Sequence, residues 1–115
     1  MFAKRFMLAL LTLSLFLAGC GGAKPKTYTV GVIMELAWLA PAYDGFKTSM
    51  TELGYVEGEN ITYVYNEAVT GGDQAAFDAE AKRLVEQNVD LIFTIGTLPT
   101  KAAKTAVEGT GIPVV

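Results

Sequence analysis

The chain has 115 residues, with 12 acidic and 9 basic side chains, no histidine and a single cysteine. No disulfide can close within it, no histidine-based catalytic triad can be assembled, and a zinc or iron–sulfur site lacks its ligands. A net charge of −3 is no footprint for nucleic acid.

The amino end opens with Lys4 and Arg5, and residues 6–18 form an apolar run of 13 residues broken only by Thr12 and Ser14. A membrane-spanning helix needs roughly 20 such residues, so the run fits the hydrophobic part of an export signal better. It closes in Leu17-Ala18-Gly19-Cys20, which resembles the lipobox of bacterial lipoproteins. That resemblance implies cleavage before Cys20, with lipid carried on its thiol, so residues 1–19 read as a signal peptide. More than one acyl chain meets the requirement for stable anchoring. Residues 20–27 are small and polar and read as a lipidated tether. Without the leader, 7 basic groups face 12 acidic ones.

From residue 28 onward, strand and helix patterns alternate. Residues 28–34 are apolar enough for a strand buried on both faces, and residues 35–40 form the loop after it. Pro41 then opens a helix in which Tyr43, Phe46, Met50 and Leu53 recur at spacings of three and four, and Gly54 ends it. Residues 61–66 alternate, with two tyrosines on one face, and belong at or near a sheet edge. After a loop over residues 67–72, Asp73 caps a second helix whose buried stripe is Phe77, Ala81, Leu84 and Val85, with Asp78 and Lys82 outside.

Residues 89–95 read as a strand in the middle of a parallel sheet. Gly96 allows a tight turn, Thr97 is suited to cap a helix, and Pro99 suits its first position. That helix runs to about Glu108, and residues 111–115 look like the start of a fourth strand. An apolar close of this kind is expected of an amino-terminal portion of a longer protein. The alternation defines an α/β fold: a doubly wound parallel sheet in the Rossmann-like or flavodoxin-like order 2-1-3-4, reversing between strands one and three. Ligands of such sheets bind in the crevice at the carboxyl ends of the strands.

The crevice is walled by residues 35–38 and 96–100. Thr97, with the N–H groups after Gly96, is suited to a ligand carboxylate, or else merely caps its helix. Trp38 is placed to stack on a flat ligand, or packs on the helix at Pro41. Glu35 pairs with a ligand ammonium group or stays a solvated carboxylate. Glu67 and Ala68 reach the ligand's edge, while Tyr43 serves the core stripe first and the ligand second. No pair among these forms a nucleophile with its base, so no catalytic residue and no cofactor is assigned.

The run Glu52-Leu53-Gly54-Tyr55-Val56-Glu57-Gly58-Glu59-Asn60-Ile61 carries a resemblance that composition does not. With Gly45-Phe46 before it and Val89-Asp90-Leu91-Ile92 and Gly96-Thr97 after it, it resembles the substrate-binding lipoproteins of ABC transporters. More narrowly, it is similar to the family whose better understood members take up tryptophan and tyrosine. The resemblance covers residues 28–115 and implies a type I periplasmic-binding-protein fold, of which residues 28–115 supply most of the first lobe. Family members often carry a polar pair in the loop after strand one, where this chain has Leu36-Ala37-Trp38-Leu39. It implies a small-molecule solute, an amino acid or another small polar or aromatic one, a permease partner in the membrane, and a place outside the cytoplasm. The alternatives are a surface-anchored flavodoxin-like enzyme with its catalytic groups elsewhere, and a sensory ligand-binding lipoprotein.

Overall fold

The computed structural model describes residues 21–115, so the leader and Cys20 lie outside the described residues. Strand β1 is Tyr28–Met34, helix α1 is Ala40–Glu52, and strand β2 is Ile61–Tyr65. Helix α2 is Gln74–Glu86, strand β3 is Leu91–Ile95, and helix α3 is Thr97–Ala106. Single 3₁₀ turns at Ala37–Leu39 and Glu67–Val69 lie in the loops after β1 and β2.

The sheet is parallel with order β2-β1-β3, and the register places Val30 opposite both Tyr63 and Leu91. The strand buried on both faces is β1, whose last five residues are all buried, rather than β3, in which only Ile92 is buried. The middle place among the three strands therefore belongs to β1, not to the segment at residues 89–95. The expected fourth strand is a single parallel bridge between Ile92 and Val114. Ile92 and Thr94 donate to the carbonyls of Pro113 and Val115, and Val115 donates back to Ile92. The order 2-1-3-4 is thus begun on the expected side of β3.

Alternation along β1 sends its side chains into two cores. Ile33 meets Phe77, Ala81 and Leu84 of α2 and Ala102 and Ala103 of α3, together with Val89 and Ile92. Val30, Val32 and Ile61 meet Tyr43, Phe46 and Met50 of α1 on the other face. Phe46 also stacks on Phe93 of β3, with centroids 4.0 Å apart. Burying a side chain the size of Phe77 contributes about 1.5–3 kcal/mol, so these two layers hold the sheet between its helices. The chain reverses direction after β2, which puts α1 alone on one face and α2 with α3 on the other.

One local expectation changes. Leu53, read as the last member of the α1 stripe, is 73% exposed, because Gly54 with φ +92° turns the chain away directly after it. Asp78 and Lys82 are both exposed, as expected, and Asp78 accepts from Gln74 Nε2 at 2.8 Å. Asp73 does cap α2, its carboxylate accepting from the Ala76 N–H at 2.9 Å.

Candidate functional site at the carboxyl edge of the sheet

Because the three strands are parallel, the loops leaving them open at one edge. Glu35, the first residue after β1, ties these loops together. Its N–H donates to Ile95 O at the end of β3, and its carbonyl accepts from Gly71 N in the loop after β2, each at 2.8 Å. Its carboxylate then accepts from the Leu98 N–H in the first turn of α3 at 3.3 Å.

This contact reassigns the helix cap. The N-cap of α3 is Gly96, in a conformation (φ +115°) that side chains avoid, and Thr97 is the first helical residue. Thr97 is exposed, and Pro99 is the buried third residue of the helix. Glu35 supplies the anion that a helix start attracts, from across the mouth instead of from the adjacent residue. A side chain at Gly96 would drive its Cβ into the Glu35 carboxylate, so glycine is what makes room for it. Pro99 has no N–H and Leu98 is occupied. Of the several donors expected here, Thr97 remains the one of the first three residues without a partner among the described residues.

Trp38 lies in the 3₁₀ turn after β1 and is 73% exposed, with Leu36 also exposed beside it. Most of its surface lies in solvent. Glu67 and Ala68 are exposed in the turn after β2. The structure therefore brings Glu35, Gly96 and Thr97 together, with Trp38, Glu67 and Ala68 on the neighbouring loops of the same edge. Tyr43 sits on the sheet face instead, against Tyr63 at 6.0 Å and Tyr65 at 5.6 Å, with the Lys47 ammonium 4.6 Å over its ring. Burial, and after it the charge of Glu57, pushes the Tyr43 phenol up to about 12.

Sequence reasoning did not single out Thr94, Thr100 or Glu80. The Thr100 hydroxyl donates to Gly96 O at 2.6 Å and meets the Thr94 hydroxyl at 2.9 Å, fixing the β3–α3 corner from inside. A hydroxyl four residues after a glycine turn was the available signal. Glu80 of α2 is buried beneath the loop after β2, paired with Arg83. Hydrogen bonding from Arg83, reinforced by Asn66, holds its carboxyl below the ordinary glutamate range in spite of burial.

Two cavities lie elsewhere. One of about 240 Å³ opens at the opposite edge between Tyr28, Met50, Tyr55 and Leu91, and one of about 400 Å³ between Thr100, Lys104, Val107 and Val115. Neither includes Glu35, Trp38 or Gly96. Among the described residues no group of three or more His, Cys, Asp and Glu is placed to hold a metal ion, and no helix is long and apolar enough to cross a membrane.

A parallel α/β lobe with three loop corners meeting at one edge is the architecture of a half-cleft for a small molecule. The chain belongs to the family of ABC transporter substrate binding proteins, whose family model matches residues 28–115. Among solved structures, it is similar to the ligand-free, open structure of CD0873, a substrate binding protein with adhesive properties from Clostridium difficile. That match has a TM-score of 0.68 and 24% identity, over 77% of this chain and 30% of that one. It is also similar to a conserved domain protein from Vibrio cholerae O1 biovar eltor, with a TM-score of 0.65 and 28% identity, over 80% of this chain and 30% of that one. The lobe has the periplasmic-binding-protein fold, and the chain spans about 30% of the length of each of these proteins. A search of curated proteins gave no match.

Proposed function

We propose that this chain is part of an extracytoplasmic solute-binding lipoprotein of an ABC importer, anchored through Cys20 and tethered by residues 20–27. The observation that carries this reading is the family match over the whole of residues 28–115. The site geometry supports a solute that offers a donor and an acceptor side by side. Glu35 takes the ammonium or another donor group, and the Thr97 hydroxyl and N–H take a carboxylate oxygen. That pairing fits the zwitterion of an amino acid. Exposed Trp38 stacks on a flat side chain, Glu67 and Ala68 border it, and Tyr43 supports the mouth from the sheet face. Capture leaves the solute chemically unchanged, since none of these residues forms a nucleophile with a base. The permease in the membrane receives the solute.

Isothermal titration of the full-length protein against a panel of amino acids and small polar or aromatic solutes tests this reading. Heat of binding with at least one aromatic or branched amino acid is expected, and silence across the panel overturns it.

A further inference from the structure

Glu80 is the one buried charged side chain among the described residues, 4% exposed on a helix whose polar residues otherwise face water. Its carboxylate accepts from Arg83 Nε at 2.9 Å and from the Asn66 side-chain amide at 3.3 Å. Buried ion pairs contribute little net stability, because desolvation offsets their attraction. Asn66 is where the chain leaves β2, and its own side-chain oxygen accepts from the Ala68 N–H at 3.2 Å, capping the turn that carries Glu67 and Ala68. Farther along the same loop, Tyr65 and Thr70 share a hydroxyl–hydroxyl bond of 2.7 Å, and Gly71 is bound to Glu35.

We infer that Glu80 is a positioning residue: through Asn66 it fixes the loop over residues 66–71, and so sets where Glu67 and Ala68 stand relative to Glu35. Hydrogen bonds hold the loop at three points, and of these the Glu80–Asn66 contact is the one that reaches into the helix layer behind it, beside the apolar packing of Val69. Arg83, half-exposed, keeps Glu80 ionised and oriented from the same helix. Val69 packs against the core beneath α2, but Glu67 and Ala68 are exposed and carry no apolar contact there, so hydrogen bonds at Asn66 contribute to where they stand. The importance of this placement for solute capture rests on the solute-binding reading; the placement itself does not.

Hydrogen–deuterium exchange of the full-length protein, read without solute, tests the inference. Glu80→Met fills a similar volume, and Arg83, already 38% exposed, can turn to solvent instead of being left as a buried unpaired charge. Asn66→Ala removes the other end. Each is expected to speed exchange over residues 66–71 by roughly three- to tenfold, the size of one lost hydrogen bond. β1 and β3 should exchange at unchanged rates, and the double variant no faster than either single one. Glu80→Gln, which keeps an acceptor for Asn66, is expected to retain most of the protection. Wild-type exchange of the loop in a folded Asn66→Ala or Glu80→Met protein overturns the inference, as does acceleration spread evenly over β1 and β3. If Glu80→Met does not fold, Glu80→Leu decides on the same readout, because Asn66→Ala also removes the cap on the Ala68 N–H. Because no solute is present, this outcome is independent of the titration above.

Discussion

The Glu35 carboxylate closes the first turn of α3 by accepting the Leu98 N–H across 63 residues of sequence. It does so over Gly96, the residue whose missing side chain leaves the space. Gly96→Ala combines a backbone of φ +115° with expulsion of that carboxylate. A conformation open almost only to glycine costs about 1–3 kcal/mol, and a lost cap about 1 kcal/mol more. Urea denaturation should therefore show Gly96→Ala to be more harmful than Glu35→Ala. In the double variant Glu35→Ala should add little, because the cap is already gone; full additivity would mean that the two residues are not coupled.

Gly31 in β1 has an equally direct neighbour. A Cβ there would stand 2.7 Å from one terminal carbon of Leu84 and 2.9 Å from the other. Leu84 is fully buried in the core with Ile33, Phe77 and Ala81. Gly31→Ala is expected to destabilise the fold by about 1–3 kcal/mol through overpacking. Leu84→Ala alone should cost about 2–5 kcal/mol through its cavity. Combined, the two should cost less than their sum, since the new methyl enters the vacated space. A double-mutant cycle by denaturation measures this.

These two contacts show which parts of the structure were legible in sequence. The β1 span, the Asp73 cap and the stop at Gly54 are local matters, decided by residues within a turn of each other. The alternation of strand and helix then limited the topology to the order found. What did not read out depended on distant partners. Thr97 has the right chemistry for a cap, but a carboxylate from the end of β1 took the position. The apolar run of residues 89–95 looks more central than β1, yet β1 is the more buried because a full strand flanks it on each side, whereas β3 has only the bridge at Val114 beyond it. Glu80 sits on α2 among charged neighbours and reads as a surface residue, since nothing local shows that Asn66 waits beneath it. Leu53 fits the α1 stripe by spacing and misses the core because the helix ends there.

Tyr43 gives the alkaline side of stability a specific source. Its phenol is pushed up to about 12 by burial first, then by Glu57 and Tyr63. An unfolded tyrosine ionises near 10. With the folded value above the unfolded one, the contribution is fully present below about 10 and is lost as pH rises toward 12. Stability measured by denaturation should fall over this interval, and Tyr43→Phe should flatten part of the fall. Tyrosinate absorbance should show Tyr43 among the last of the tyrosines to ionise in the folded protein. A Tyr43→Phe protein with the same alkaline limb as the wild type would move the source to other tyrosines.

Trp38 reports on the mouth because it is the single tryptophan of the chain and lies 73% exposed. An indole in water emits at long wavelength and is reached easily by a neutral quencher such as acrylamide, so both are expected of the free protein. An aromatic side chain held at a binding surface loses water from its face when a flat partner stacks on it. If the solute lies between the loop after β1 and the start of α3, adding it to the full-length protein should shift Trp38 emission to shorter wavelength and protect it from quenching. Trp38→Ala should then weaken binding by about 0.5–1.5 kcal/mol beyond lost area, the size of one aromatic pair, without changing the unfolding midpoint. Thr97→Val, which keeps shape and removes the hydroxyl, should weaken binding of carboxylate-bearing solutes and leave Trp38 stacking in place. Solute heat with unaltered Trp38 emission and quenching would put the captured molecule away from this loop.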